Sequence, residues 1–453
     1  MNKDLTVGKA DQVLWRFCLP LFGSIVFQQL YNIADSLVAG KLVGENALAA
    51  VGNSYEITLI LIAFSFGCNM GCSVLVSQLF GAKRYGELKS AVSTACIFSG
   101  ILCLGLMAFT IFGGEMLLHL IKTPEDIFAD STIYLDIYVY GLPFVFFYNI
   151  ATGIFSGLGD SRTPFLFLAF SACLNVVLDL ICIIVFKWGC AGAAFATITA
   201  QAISGLCCLI FIIKKVQILH PKRKDCHLQP VYVKEMLVMG LPMGLQFSIT
   251  AIGSMVMQSA NNGLGSIYVS GFTAGMRIKQ FAMCPFDALA NGVSVFCSQN
   301  LGAGKIKRIR KGLWQGVGVG FIYGLLIGLV LIFAGRSLSM LFISADQTAV
   351  LDASAKYLRC LGFFYWSLGP LSVFRMSAQG MGFSGRAIFS GVTEMIARTF
   401  VSFAFVGTYG FTAICFADQT AWVSATLYIT PVCLMCLRQV TREHERQQAK
   451  IAD

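Results

Sequence analysis

Apolar stretches long enough to cross a bilayer recur about twelve times along this chain of 453 residues, and nothing else in the sequence constrains the fold as tightly. A helix needs ~20 apolar residues to span a ~30 Å hydrocarbon core. The first six runs are roughly 13–39, 46–79, 90–112, 131–155, 163–186 and 190–213. The second six are roughly 235–262, 266–299, 312–334, 352–378, 386–407 and 410–437. Only 12% of the residues are charged, against roughly 25% in an ordinary soluble domain. One all-α polytopic membrane protein is therefore expected, rather than a string of soluble domains. The first run is too long for a signal peptide and ends in no small-residue cleavage site.

The basic residues orient these spans. With the N-terminus inside, the segments on the cytoplasmic side hold 23 Lys and Arg residues. The external loops hold Lys41, Lys122, Lys187 and Arg336, with Lys356 and Arg359 near the outer end of the tenth span. This bias places both termini in the cytoplasm. The net charge of +10 belongs to those loops and forms no patch interleaved with aromatics, so nucleic acid is not an expected partner. Nearly all of the 17 cysteines, including Cys68, Cys72, Cys433 and Cys436, lie in apolar runs and read as small packing residues. His119, His220, His227 and His444 are expected in loops or the tail, leaving no intramembrane histidine cluster for metal or proton relay. No cofactor and no enzymatic constellation is indicated.

The chain is internally duplicated. The second run ends SQLFGAKRYGELKSA and the eighth SQNLGAGKIKRIRKG, which sets Gly81 over Gly302. CLPLFG in the first and GLPMGL in the seventh set Pro20 over Pro242, and SGLGDSRTP pairs with AQGMGFSGR. Two repeats with the same in–out sense imply two pseudo-symmetric six-helix bundles. The expected division is a first lobe at 1–213, a basic linker at 214–234, a second lobe at 235–437 and a cytoplasmic tail at 438–453.

Acids inside such spans mark functional sites by default, because an ionisable group in hydrocarbon costs several kcal/mol. Those placed there are Asp35, Glu56, Asp179, Asp287 and Glu394, with Asp136 and Asp418 near the margin. Counting 1.5 Å per residue from the outer helix ends, Asp35 lies ~8 Å deep, Asp179 ~12 Å and Thr197 ~10 Å, with Asn175 one turn below Asp179. Two carboxylates, an amide carbonyl and a hydroxyl at one level make an oxygen-only site for a hard cation, and paired carboxylates also suit proton uptake. The second repeat does not copy it: Met257, Arg398 and Ser402 fall near the positions of Asp35, Asn175 and Asp179. Glu394 and Arg398, spaced i,i+4, are expected to form an ion pair. Glu56 and Arg277 hold equivalent repeat positions and form a candidate pair, and Asp287 is expected to balance Arg277 and Lys279.

With these residues in view, the chain resembles the multidrug and toxic compound extrusion (MATE) family over residues ~10–440. The resemblance rests on PLFGSIVFQQLYNIADSLVAG, on ALAAVGNSYEITLILIAFSFGCNMGCSVLVSQLFGAKRYGE and on GLGDSRTP, with their second-half counterparts. It implies twelve helices in two lobes around a V-shaped central cavity, in the bacterial cytoplasmic membrane, and drug export driven by inward H+ or Na+. It further implies a cation site at Asp35, Asn175, Asp179 and Thr197 and a first helix that bends at Pro20. The seventh run, SMVMQSANNG, lacks the acid that some members carry there, which brings the chain nearer the DinF-like branch. Flexible or aromatic side chains suit a permissive cavity; the candidates are Tyr31, Phe64, Met255, Met257, Phe281 and Met283. The expected function is secondary active export of amphipathic, often cationic drug-like compounds by a monomer embedded in lipid. The rival expectation is a flippase for a lipid-linked oligosaccharide, which calls for a strongly cationic cavity where only Arg277, Lys279, Arg375 and Arg398 are available.

Overall fold

A backbone crossing hydrocarbon must satisfy its own N–H and C=O groups, which leaves the apolar runs little choice but helix. The structure, a computed structural model, describes residues 4–42, 45–120, 123, 125–219 and 227–452. Side chains are described throughout these except at 31–42, 45–56, 59–60, 120, 126–127, 190, 213, 215, 217 and 451–452. The helices are α1 Ala10–Leu42, α2 Glu45–Gly81, α3 Tyr85–Leu120, α4 Glu125–Gly157, α5 Arg162–Leu180, α6 Gly189–Lys215 and α7 Pro230–Asn262. They continue with α8 Ser266–Gly302, α9 Ile306–Ser339, α10 Thr348–Phe364, α11 Leu368–Gly380, α12 Ser384–Ala404, α13 Val406–Tyr409 and α14 Phe411–Ala452. No strand occurs among the described residues. Eleven of these helices are long and apolar enough to cross a membrane.

Three local departures from the sequence expectation are instructive. The tenth span is not one helix: a 3-10 turn at Tyr365–Ser367 divides it into α10 and α11. Pro370 follows closely, and a proline's missing N–H and ring favour such a break just upstream. The tail is not a separate segment, because α14 runs through it to Ala452. His119 lies in a helix rather than a loop, in the last turn of α3, while His444 of the tail lies in the C-terminal part of α14.

The chain divides into two compact units, and the boundaries fall inside α1 and α7 rather than in the linker. Unit 1 comprises 1–4 and 23–244; unit 2 comprises 5–22 and 245–453. The first part of each prolyl helix thus belongs with the opposite repeat. Tyr232 and Met236 of α7 join the unit 1 core, while Leu5, Ala10, Leu14, Phe17 and Cys18 join the unit 2 core. Glycines allow both placements. A Cβ on Gly240 would run into the Gly67 carbonyl oxygen of α2, and one on Gly71 would lie 2.7 Å from the Met236 carbonyl oxygen. In the other unit Gly292 of α8 leaves room for Cys18.

The duplication is also written in the backbone. Left-handed positions recur at Lys83 (φ 58°) and Gly304 (φ 67°), at Gly159 (φ 77°) and Gly382 (φ 93°), and at Gly189 (φ 55°) and Gly410 (φ 54°). Each pair closes the same turn in the two repeats. The residues ahead of α1 form a strap on unit 2: Leu5 N donates to Gln299 Oε1 at 3.0 Å, and Arg308 donates to the carbonyls of Gly8 and Leu5 at 2.6 and 3.0 Å.

Candidate functional site

In unit 1, α5 and α6 are held together by evenly spaced polar contacts. Ser204 Oγ donates to the Phe167 carbonyl at 3.2 Å, and Ser171 Oγ donates to the Ala200 carbonyl at 3.2 Å. Asn175 Nδ2 donates to Thr197 Oγ1 at 3.3 Å. Positions 167, 171 and 175 repeat every four residues and so share one face of α5. The next member of that series is Asp179, fully buried. The same antiparallel register sets it level with Ala193, whose carbonyl accepts a 3.0 Å bond from Thr197 Oγ1. Three of the four residues assigned to the cation site are therefore brought to one place.

Immediately beyond Asp179 the helix widens into a π-helical turn at Ile181–Val185, with Phe186 N bonded to the Ile181 carbonyl five residues back. Such turns interrupt α-helices mostly at functional positions. The fourth assigned residue, Asp35, has its side chain outside the described residues, as do Tyr31 and Glu56. Its backbone belongs to α1. Gly23 of that helix rests against the Phe165 ring, 3.4 Å from a Cβ position, and Phe27 meets the same ring edge-on. Pro20 lies inside α1, which is helical on both sides of it.

In unit 2 the equivalent face is charged, with its acids and bases paired to one another. Arg398 Nε donates to Asp418 Oδ1 at 2.9 Å, Lys279 Nζ to Asp418 Oδ2 at 2.6 Å, and the Tyr357 hydroxyl to Asp418 Oδ2 at 2.8 Å. Arg398 also meets Glu394 at 3.3 Å, the expected i,i+4 pair, and Arg375 caps Glu394 from α11 while its Nε donates to Ser390 Oγ at 2.9 Å. Five helices (α8, α10, α11, α12 and α14) converge on two carboxylates. The Lys279 ammonium also lies 5.8 Å from the Trp422 ring centre.

Lys279 is balanced by Asp418, not by Asp287 as the sequence suggested. Proximity along α8 proved a poor guide, because a side chain buried in a bundle pairs with the helix packed against it. Asp287 and Arg277 are both exposed and have no ion-pair partner among the described residues. Met257 is 1% exposed and belongs to the unit 2 core, so its thioether fills space and lines no open surface there. Met255 and Phe64 are exposed, and Phe281 and Met283 are half-buried. The sequence signal for the missed hub was present: Asp418 is the only acid in the membrane-length part of α14, facing two basic residues in other spans that need an anion.

Registering the repeats on their matched turns aligns the two sites. Gly159 and Gly382 put Ser171, Asn175 and Asp179 over Glu394, Arg398 and Ser402; Gly189 and Gly410 put Thr197 over Asp418. The first repeat is two residues longer between these turns, and its π-helical turn falls in that interval. So the neutral contact Asn175–Thr197 and the ion pair Arg398–Asp418 occupy the same pair of positions.

Comparison with known proteins agrees with this architecture. The MatE family model matches residues 20–181 and 242–403, two copies that begin at Pro20 and Pro242. The probable multidrug resistance protein YpnP of Bacillus subtilis is 31% identical over 413 residues, covering 91% of this chain and 89% of that protein. The probable multidrug resistance protein YoeA of the same organism is 28% identical over 359 residues, covering 76% and 77%. The crystal structure of a MATE protein in complex with MaL6 superposes with a TM-score of 0.92 at 20% identity, covering 97% of this chain and 99% of that one. With both halves matched by the family model and a relative above 30% identity along nearly the whole length, the chain belongs to the MATE family of membrane transporters.

Proposed function

We propose that the chain exports amphipathic, often cationic small molecules in exchange for H+ or Na+, with Asp35, Asn175, Asp179 and Thr197 taking up the coupling ion. The observation that carries this reading is the contrast between equivalent positions. Where unit 2 has its own cation, Arg398 on Asp418, unit 1 has the neutral pair Asn175–Thr197 beside a buried carboxylate. The spans of the first repeat hold several acids and no Lys or Arg away from their ends. Oxygen ligands in spans of that composition suit a cation that comes and goes, whereas the carboxylates of unit 2 already face built-in cations.

In this mechanism, ion uptake from the external side neutralises the carboxylates of α1 and α5. That removes the need for water around them and lets α1 bend at Pro20, which donates no N–H to the preceding turn. A change of that kind weakens substrate on one side and resets the carrier when the ion leaves inward. In this reading the protein is a monomer in the bacterial cytoplasmic membrane, and the Lys and Arg distribution supports an orientation with both termini inside. Relatives named as multidrug resistance proteins support the substrate class. The flippase alternative loses support, because Lys279, Arg375 and Arg398 are all ion-paired, which leaves Arg277 as the one of the four candidates with no ion pair among the described residues.

Ethidium or norfloxacin efflux from cells expressing the wild type or Asp35→Asn, with and without Na+ and a protonophore, tests the reading. Loss of efflux in the variant at equal membrane expression is expected, and the Na+ and protonophore responses name the ion. Normal efflux by Asp35→Asn would sink the mechanism.

A further inference from the structure

Unit 2 carries a groove of about 990 Å³ at its basic end, between the start of α9 and the C-terminal part of α14. Its upper wall is basic: Lys305, Lys307, Arg308 and Arg310 on one side, Arg438 and Arg442 on the other, with Glu445 the one acid. Two of the six cations are already engaged. Arg308 holds the strap as described, and Lys305 Nζ donates to the Thr6 carbonyl at 2.8 Å. Lys307, Arg310, Arg438 and Arg442 are exposed and make no ion pair among the described residues.

The lower wall is apolar, and the change comes at matching levels on the two helices. On α9, Trp314 lies one turn deeper than Arg310; on α14, Leu434 lies one turn deeper than Arg438. The groove is therefore charged where a membrane helix emerges and apolar where it enters hydrocarbon. Its shape is fixed by Gly304, which has a left-handed φ of 67° and packs so closely on His444 that a Cβ would sit 2.9 Å from the ring. His444 is held in turn by Gln448 at 3.0 Å.

We infer that this groove binds an anionic phospholipid, the phosphate held by Arg310, Arg438, Arg442 and Lys307 and an acyl chain lying along Trp314 and Leu434. Arginine's planar fork suits a phosphate, and basic pockets between membrane helices favour acidic headgroups. A free phosphate satisfies only the upper wall and leaves the apolar lower wall at Trp314 and Leu434 uncovered. The anchoring of Leu5–Gly8 by Lys305 and Arg308 on the same wall places the bound lipid beside the segment that leads into α1.

The test is native mass spectrometry and thermal unfolding of the purified full chain, loaded from mixed phosphatidylglycerol and phosphatidylcholine micelles. The wild type is expected to retain phosphatidylglycerol selectively and to unfold at a higher temperature with it. Arg438→Gln/Arg442→Gln is expected to lower that retention about fivefold per charge removed, while its unfolding without lipid stays near wild type. Lys83→Gln/Lys234→Gln, which removes the same charge elsewhere at basic helix ends, is expected to retain phosphatidylglycerol normally. Equal retention of the two lipids, equal loss in both double variants, or no loss in Arg438→Gln/Arg442→Gln would overturn the proposal. So would stabilisation by inorganic phosphate alone as large as that by phosphatidylglycerol.

Discussion

Arg398 donates to Asp418 at 2.9 Å across the very positions that Asn175 and Thr197 occupy in the first repeat. The two repeats therefore solve one problem, how to keep charge in hydrocarbon, in opposite ways. In unit 2 buried cations are built in beside the carboxylates; in unit 1 the equivalent contact joins an amide and a hydroxyl. The consequences separate cleanly by measurement.

Asp418→Asn leaves Lys279 buried without its anion and Arg398 with Glu394 alone. Removing one partner of a buried pair costs about 3–5 kcal/mol, so thermal unfolding in detergent should shift down markedly and expression should fall. Asp179→Asn replaces a carboxylate by a near-isostere whose charge is not matched by a built-in cation at the Asn175 position. That variant is expected to unfold close to the wild-type temperature and to lose ion-driven efflux. A stable Asp418→Asn protein, or an Asp179→Asn protein that unfolds early and pumps when it is folded, would reverse the assignment of structural and coupling roles.

A stricter version moves the built-in pair. Asn175→Arg/Thr197→Asp copies the Arg398–Asp418 arrangement into unit 1. Arginine is larger than asparagine, and overpacking costs typically about 1–3 kcal/mol, so some loss of stability is expected. The diagnostic readout is the response to the ion. Wild-type protein should be stabilised by whichever of H+ or Na+ it carries, since a ligand that binds the folded state raises its apparent stability. The double variant should show no such response and no efflux. A retained response would place the ion elsewhere.

The fold was legible because lipid removes ambiguity: apolar length alone selects a helix. The repeat was legible because turn glycines such as Gly159 and Gly382 recur at fixed spacing. Depth counted along α5 and α6 set Thr197 nearest Asp179, whereas the hydrogen bond joins it to Asn175 one turn below. Asp418 escaped because its partners Lys279, Tyr357 and Arg398 lie on three other helices, and periodicity within one span says nothing about which neighbour it meets. The assignment of the early parts of α1 and α7 to the opposite units escaped for a related reason. Linker composition marks where a chain turns, whereas unit membership depends on close backbone approach.

That close approach makes the last prediction. A Cβ on Gly240 would run into a main-chain oxygen, that of Gly67. Backbone cannot rotate aside, so Gly240→Ala must push α7 off α2 and forfeit contacts along the crossing. A loss of about 2–3 kcal/mol is expected. At the equivalent crossing a Cβ on Gly292 would meet the Cys18 side chain, which has a rotamer to change, so Gly292→Ala should cost less. Gly105 in α3 has nothing within 4 Å of a Cβ position. There Gly105→Ala should stabilise by roughly 0.5–1 kcal/mol, because alanine loses less backbone freedom in a helix. Thermal unfolding of the three variants should rank Gly105→Ala above wild type, then Gly292→Ala, then Gly240→Ala. If Gly240→Ala unfolds no earlier than Gly292→Ala, the α2–α7 crossing is not the tight backbone contact that assigns the first part of α7 to unit 1.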